Sequence, residues 1–529
     1  MSVTIQEGIS YSPIEGPELV VGIVAPVGAN LATAVEIIKL EFSKANYQPH
    51  VIRVSSLLHQ LDEYSSLGDE NLSEYDRISG HMDAGTTLRS KTKQGGILAM
   101  FAMSDMRRIR EDLNQGVEGV TVGEEALEPL PRTVYILRSL KHPEEIELLK
   151  SVYGAAFILV SVYSPREDRV KYLSQVLANS DNSSTPNQYR SKAEELICRD
   201  EKEESNKLGQ NVSDAFPLAD LFIDSRERKL IESGVSRFVD YYFGYPYPSP
   251  TRDEFSMYMA ACTAMRSVDL SRQVGAALVN IDGDIVSVGC NDVPKVGGGL
   301  YWLNDDHDAR DYRLGFDTSA KYKREMLSEL IDKLNKADWL SVDKKSQSQK
   351  ELLDLMLDGD DKKHFEQVRI MDVIEYGRSV HAEMAAITDA AKRGISIKGT
   401  ILYSTTFPCH LCSRHIVSSG INKVVYIQPY PKSQTGALYD DSIAVDPHTN
   451  TNDKVRFEPF VGISPNMFAD IFKAKGKRKD SSGKIEDWDR VSANPKIQRF
   501  VLSYLSSEDV LVGDVLPSIL KAHSLELVE

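Results

Sequence analysis

Short runs of apolar, β-branched residues alternate with longer stretches of helical period through the first half of the chain. Leu19-Val-Val-Gly-Ile-Val24 is the first such run and reads as a buried strand. Ala25-Pro-Val-Gly28 follows, and then a 3.6-residue pattern over Leu31–Ala45. The alternation continues with a strand at Val51–Val54, a helix at Ile97–Leu113, a strand at Val134–Leu137, a helix from Pro143 to Tyr153 and a strand at Phe157–Val162. Leu177–Arg190 reads as a polar loop, Glu194–Gln210 as a charged helix, Ala219–Ile223 as a last strand and Arg226–Phe243 as a helix. Apolar strands joined by helical crossovers predict an α/β domain with a parallel sheet. Three prolines in Gly244–Pro250 mark a boundary, so a first domain is expected over 1–243 and a second over 244–529.

The second half opens with helical spacing over Arg252–Met265. Val274–Asn280 and Ile285–Gly289 then flank Asp282-Gly283, a hairpin signal. An insertion of about 304–375 carries two amphipathic stretches, Tyr322–Leu334 and Lys350–Leu357, and is suited either to cover a pocket mouth or to build a subunit contact. Beyond it come a helix at Met384–Arg393, a strand at Thr400–Thr405, a helix completed by Ile416–Gly420 and a strand at Lys423–Ile427. A basic segment of the tail, Lys473–Lys479, reads as a loop.

Composition narrows the class. At 529 residues the chain exceeds one ordinary core, and its hydrophobic fraction of 41% is adequate for packed domains. A formal net charge of −16 argues against a protein built to grip nucleic-acid backbone. Five cysteines without disulfide-like spacing suit a reducing, cytoplasmic setting. Met1–Glu7 lacks the basic and apolar regions of a signal peptide, and Leu19–Val27 is far short of a membrane span, so a soluble protein is expected.

The chemistry concentrates in Ser379-Val-His-Ala-Glu383 and Pro408-Cys-His-Leu-Cys412. His381, Cys409 and Cys412 form the three-ligand set of a catalytic Zn2+ site that keeps one position open for water. Glu383, two residues after the histidine, is placed to move protons beside the metal without ligating it. The cysteines are three apart, which puts both thiolates on one face of a helical turn. A closed structural site would want a fourth Cys or His and has no use for that glutamate. The Ala382 N–H and the peptide around Thr406–Pro408 are candidates to orient a base edge. Lys432, just beyond a strand, is a candidate phosphate contact, with an ordinary surface role as the alternative. His307, within Asp305-Asp-His-Asp308, reads as part of an acidic loop, with a second metal as the alternative. His410 and His415 are placed on a helix's outer face.

Strand, tight loop and helix over Leu19–Ala45 match a phosphate-loop arrangement, but Asn30-Leu-Ala32 stands where the lysine and hydroxyl of a working loop belong. Gly22, Gly28, Ala29 and Asn30 are therefore candidates for binding nucleotide through backbone N–H groups, the alternative being an ordinary turn. Arg138, Lys141, Arg166 and Arg169 follow carboxyl ends of strands, where ligand crevices of open α/β sheets lie, or else are surface charge. For Asn291 a sugar contact and a loop-capping role both stand, the loop cap being favoured on the residues alone.

His381-Ala-Glu383, Pro408-Cys-His-Leu-Cys412, Gln273-Val-Gly-Ala276 and Gly289-Cys-Asn291 resemble the deoxycytidylate deaminase branch of the zinc-dependent cytidine deaminases. With the degenerate P-loop, Ser139-Leu-Lys-His-Pro143 and Tyr430-Pro-Lys-Ser433, the whole chain is similar to the bacterial anti-phage dCTP deaminases. That resemblance implies a P-loop kinase-like α/β domain fused to a cytidine deaminase-like α/β/α domain, and hydrolytic deamination of dCTP or dCMP that drains a phage's nucleotides. It further implies Asn291 as a deoxyribose contact, a homo-oligomer such as a hexamer, and restraint by a small RNA as in some relatives, which gives the first domain a regulatory job.

Overall fold

The structure is a computed structural model that describes residues 16–528 apart from 118–124, 204–205, 360, 366–367, 369, 371–372, 374, 431–432, 448–452, 475 and 497–502. The chain divides into two compact units, Met1–Glu254 with Val461–Glu529, and Phe255–Phe460. Both are mixed α/β.

In the first unit, β1 (Leu19–Val24), β2 (Gln48–Arg53), β3 (Thr133–Leu140), β4 (Phe157–Tyr163) and β5 (Leu221–Asp224) are mutually parallel. The central strand β1 is buried at every residue, as an all-apolar run between two helical layers must be. The helix Leu31–Lys44 starts where Asn30 caps it through the Thr33 N–H, and Pro143–Tyr153 starts from a reciprocal cap between His142 and Glu145. Among the helices that escape the sequence pattern, the two longest are Glu74–Thr92 and Arg166–Ser180. Both are polar on average, so they lack a clear apolar stripe and are held by packing and ion pairs.

The sequence expectation of 244–529 as one domain differs from this division. Residues beyond Val461 return to the first unit, completing its sheet in the order β12-β5-β4-β1-β3-β2. There β12 (Gly462–Ile463) pairs antiparallel with β5, an edge whose backbone groups would otherwise lack partners. Farther along, Glu508 is fully buried and receives two hydrogen bonds from Arg110, at 2.7 and 3.2 Å. A two-residue strand and a buried carboxylate leave no periodic signal, which is why the return is invisible to pattern reading.

The second unit holds a sheet of order β10-β11-β9-β8-β6-β7. The hairpin of β6 (Gly275–Val279) and β7 (Ile285–Cys290) is antiparallel, and β6 also pairs antiparallel with β8 (Ile401–Thr406). Parallel pairing then joins β8 to β9 (Lys423–Gln428), and β10 (Ile443–Val445) and β11 (Val455–Pro459) extend that direction. Between β7 and β8 the insertion contributes the helices Thr318–Lys336 and Gln349–Leu357. No helix among the described residues is long and apolar enough to cross a membrane.

Candidate active site

Two helix starts converge at the site. His381 is the N-cap of Ala382–Lys392, and Cys409 is the N-cap of His410–Ser418, which brings Cys412 onto its first turn. The Cys409 and Cys412 Sγ atoms lie 3.3 and 3.4 Å from His381 Nδ1. All three donor atoms fall within 4.8 Å of one another, forming the one such group among the described residues. Helix N-termini carry partial positive charge, which favours thiolates there.

Close approach of helix to sheet makes this convergence possible. The helix bearing His381 and Glu383 lies so tightly on β7 that a Cβ on Gly289 would stand 2.4 Å from the Ala382 carbonyl oxygen. Ser287, on the same strand, donates its hydroxyl to the Ala386 carbonyl at 2.8 Å. Upstream of the histidine, Ser379 Oγ donates to Asp269 Oδ2 at 2.6 Å, and Val380 exchanges backbone hydrogen bonds with Asp292. The cysteine loop is braced from below. Ser413 donates to the Cys409 carbonyl at 3.0 Å and shares a hydrogen bond with Thr435, while Ser433 and Thr435 both donate to the Pro408 carbonyl.

The electrostatics follow from this crowding. Glu383 is buried, and that burial foremost lifts its pKa above the ordinary carboxylate range, against the opposing field of His381. A hydrogen bond from Cys412, helped by His381, brings the Cys409 thiol down to about 4. His381 rises to about 9, chiefly through its bond to Cys409. Cys412, which donates to Cys409, lies well above the usual thiol range. Two sulfurs and an imidazole nitrogen turned on one point, bonded chiefly to each other, are a donor set that fits a tetrahedral zinc ion.

His381, Glu383 and Cys409 border a cavity of about 700 Å³. His381, Ala382, Glu383 and Cys409 lie on its wall with Asn291, Thr406, Phe407 and Tyr430. The insertion supplies the opposite wall with Lys323, Arg324, Leu357 and Lys362 among others, so it shapes the pocket rather than only lying outside it. Most of the lining charges are paired: Arg310 with Asp308 at 2.7 Å, Arg378 with Asp311 at 3.0 Å, and Arg324 with Asp358. Arg272 and Lys362 have no carboxylate partner among the described residues, and Arg272 lies 5.9 Å from the Tyr430 ring centre.

Asn291 lines the cavity, yet its side chain serves as a brace. Its Oδ1 accepts from the Val274 N–H at 2.7 Å and its Nδ2 donates to the Arg272 carbonyl at 2.8 Å. The Asn291 amide thus holds the loop that presents Arg272, a residue that sequence reading passed over although it precedes Gln273-Val-Gly-Ala276. Pro408 is buried with its carbonyl engaged, outside the cavity lining. Lys432 lies outside the described residues. Of the acids around His307, two are engaged in ion pairs, Asp305 with Lys295 at 2.8 Å and Asp308 with Arg310.

In the first unit, Gly28, Ala29 and Asn30 line a separate cavity, while Gly22 lies within β1, where a Cβ would meet Phe157 and Leu140 at 2.7 and 2.8 Å. Three of the loop's amides are already in use: Val27 N–H donates to Asp200 Oδ2 at 2.7 Å, and the Ala29 and Leu31 N–H groups donate to carbonyls within the loop. Lys141 is held by Asp200 and the Ala25 carbonyl, and Arg169 by Glu201.

Comparison with known proteins agrees with the geometry of the second unit. Residues 250–428 match the family described as the Cytidine and deoxycytidylate deaminase zinc-binding region. The Deoxycytidylate deaminase of Enterobacteria phage T2 is 45% identical over 62 residues, which cover 12% of this chain and 32% of the phage protein. The Probable deoxycytidylate deaminase of Drosophila melanogaster is 27% identical over 175 residues, 33% of this chain and 58% of the fly protein. The chain therefore spans about a third of the phage relative's length. Among solved structures, a dCMP deaminase from the cyanophage S-TIM5, in complex with dCMP and dUMP, aligns over 40% of this chain and 100% of its own at 18% identity, with a TM-score of 0.21. The family match encloses His381, Cys409 and Cys412, so the second unit carries a zinc-binding region of deoxycytidylate deaminase type.

Proposed function

We propose that the second unit hydrolyses the exocyclic amine of a deoxycytidine nucleotide, dCTP or dCMP, giving the deoxyuridine nucleotide and ammonia. The observation that carries this reading is the convergence of three donor atoms within 4.8 Å of one another beside the buried Glu383, with His381, Cys409 and Glu383 on the wall of one cavity. His381, Cys409 and Cys412 hold Zn2+, which when bound supplies the Lewis acidity that makes water a nucleophile near neutral pH.

The chain's own groups do the rest. Glu383 takes a proton from the attacking water and delivers it to N3 of the base. It then takes the remaining proton from the new C4 hydroxyl and delivers it to the amine, so that the C4–N bond breaks, the C4 carbonyl forms and ammonia leaves. Its burial keeps bulk water from competing for that proton. The Ala382 N–H, which we assign to the base edge, belongs to a residue at a helix start on the cavity wall. Arg272 and Lys362, both without carboxylate partners among the described residues, match a multiply charged phosphate chain. Asn291 acts on the phosphate end through its hold on the Arg272 loop.

The wider reading rests on the sequence resemblance. In it the first unit is a P-loop kinase-like regulatory domain, the chain assembles as a homo-oligomer such as a hexamer in the cytoplasm, and deamination depletes nucleotides in anti-phage defence under restraint by a small RNA.

The test is to incubate the protein separately with dCTP, dCMP, CTP and a cytosine-bearing single strand and to follow ammonia. Release from a deoxycytidine nucleotide, lost in Glu383→Ala, is expected. Equal behaviour of wild type and variant on all four sinks the reading, and release from the single strand alone moves the substrate to nucleic acid.

A further inference from the structure

The first unit contains a second concentration of charge, unrelated to the deaminase cavity. At the carboxyl end of its parallel sheet, Arg53 on β2 and Arg138 on β3 are register partners. Neighbouring strands lie about 4.8 Å apart, so two guanidinium groups are held side by side, an arrangement that is unfavourable unless an anion joins them. Neither has a carboxylate partner among the described residues. The carboxylate nearest to hand, Glu74, is already bound by Arg77 through two hydrogen bonds. Partial desolvation and then the fields of Arg77 and Arg138 lower the Arg53 pKa.

The cavity these residues share is about 270 Å³. Its five basic side chains, Arg53, Arg77, Arg89, Arg138 and Lys141, face three carboxylates, Glu74, Glu145 and Asp200, each already engaged in an ion pair. Arg89 is fully buried on the wall, and its Nη2 has no hydrogen-bond partner among the described residues. His81 and His59 approach to 2.9 Å and are held below the ordinary histidine range, first by desolvation, with Arg53 and Arg77 adding to it. The backbone is special here as well. Next to Arg138, Ser139 takes φ 76 and interrupts the β1–β3 register, so that Ile23 pairs with Arg138 and Val24 with Leu140. A non-glycine residue in that region is uncommon, and bulges of this kind re-aim side chains beside binding sites.

We propose that this cavity binds a nucleoside polyphosphate, with the phosphates against the Arg53–Arg138 pair and the base on Tyr172. The site is built on the arginines, beside a glycine loop whose Val27, Ala29 and Leu31 amides already donate to Asp200 and to loop carbonyls. The cavity is near the lower limit for a small-molecule pocket, which suits phosphate groups inside and a base at the rim. Tyr172 lines that rim with 56% of its surface exposed, an aromatic face offered for stacking. The compact cavity and the net charge of −16 favour a small ligand over an extended RNA strand.

Calorimetric titration of the full-length protein with ATP and with inorganic triphosphate tests this, neither probe carrying cytosine. Both are expected to bind the wild type. Arg138→Ala and Arg53→Ala are expected to weaken both at least tenfold with the unfolding temperature retained, Arg138→Lys to recover part of the loss, and Tyr172→Ala to weaken ATP but not triphosphate. No binding of either probe, or undiminished binding in folded Arg138→Ala and Arg53→Ala, overturns the proposal. Tighter binding of a short RNA than of ATP, lost in the same variants, overturns it in favour of an RNA site.

Discussion

Gly289 and Ala382 touch backbone to backbone. A Cβ on Gly289 would stand 2.4 Å from the Ala382 carbonyl oxygen and 2.4 Å from the Ala386 nitrogen, so the helix that carries His381 and Glu383 can settle on β7 only over a glycine. Gly289→Ala is therefore expected to push the helix start away. The cost is about 1–3 kcal/mol of stability, as for other overpacked sites. Zinc content per chain should fall together with deamination, measured by elemental analysis and ammonia release; a variant with full zinc and full activity contradicts this.

Glu383 is assigned proton transfer and no metal ligation. In Glu383→Gln the shape and burial of the side chain are kept, so deamination should drop by about 10²–10⁴-fold, the usual contribution of a positioned acid/base, while zinc content stays at the wild-type level. Cys409→Ser should lose both. Chelation of the wild type should abolish activity, and added Zn2+ should restore it.

Arg272 and Asn291 are predicted to act as a unit on the phosphate end of the substrate. Arg272→Ala should raise KM for dCMP and dCTP at least tenfold, about 1.4 kcal/mol or more, while unphosphorylated deoxycytidine is processed as before. Asn291→Ala removes the two hydrogen bonds that hold the Arg272 loop. It should reproduce that pattern and lower stability by about 1–3 kcal/mol. A loss of kcat alone in either variant would show that the loop serves chemistry instead of binding.

Glu508 is the anchor of the returning tail. Its carboxylate lies fully buried between Arg110, which binds it through two nitrogens, and the Tyr153 hydroxyl, and Arg110 in turn binds Glu18 at 3.0 Å. Burial opposes the charge of Arg110, but Glu508 and Glu18 outweigh it and hold its pKa above the usual range. Glu508→Ala strands a buried guanidinium and should cost about 3–5 kcal/mol, read as a lower denaturant midpoint. Replacing exposed Glu526, whose backbone carbonyl accepts from the Asp62 N–H, should leave the midpoint nearly unchanged because that bond uses no side chain.

The chain's own pattern determined the parallel strands of the first unit, the hairpin of the second and the triad of His381, Cys409 and Cys412 with Glu383. Those features are local: a buried strand must be apolar along its length, and ligands spaced on one helical turn must share a face. Tertiary structure alone decided what distant segments do to one another. It turned the Asn291 amide onto Arg272 and Val274, put Ser413 and Thr435 beneath the cysteine loop, and carried the tail from Val461 back to Arg110. It also set Arg53 beside Arg138, far apart in sequence, because register between parallel strands is chosen by the helices that cross between them. Hydroxyls, amides and single charges carry no period along a chain, so their partners emerge only once the sheets have closed.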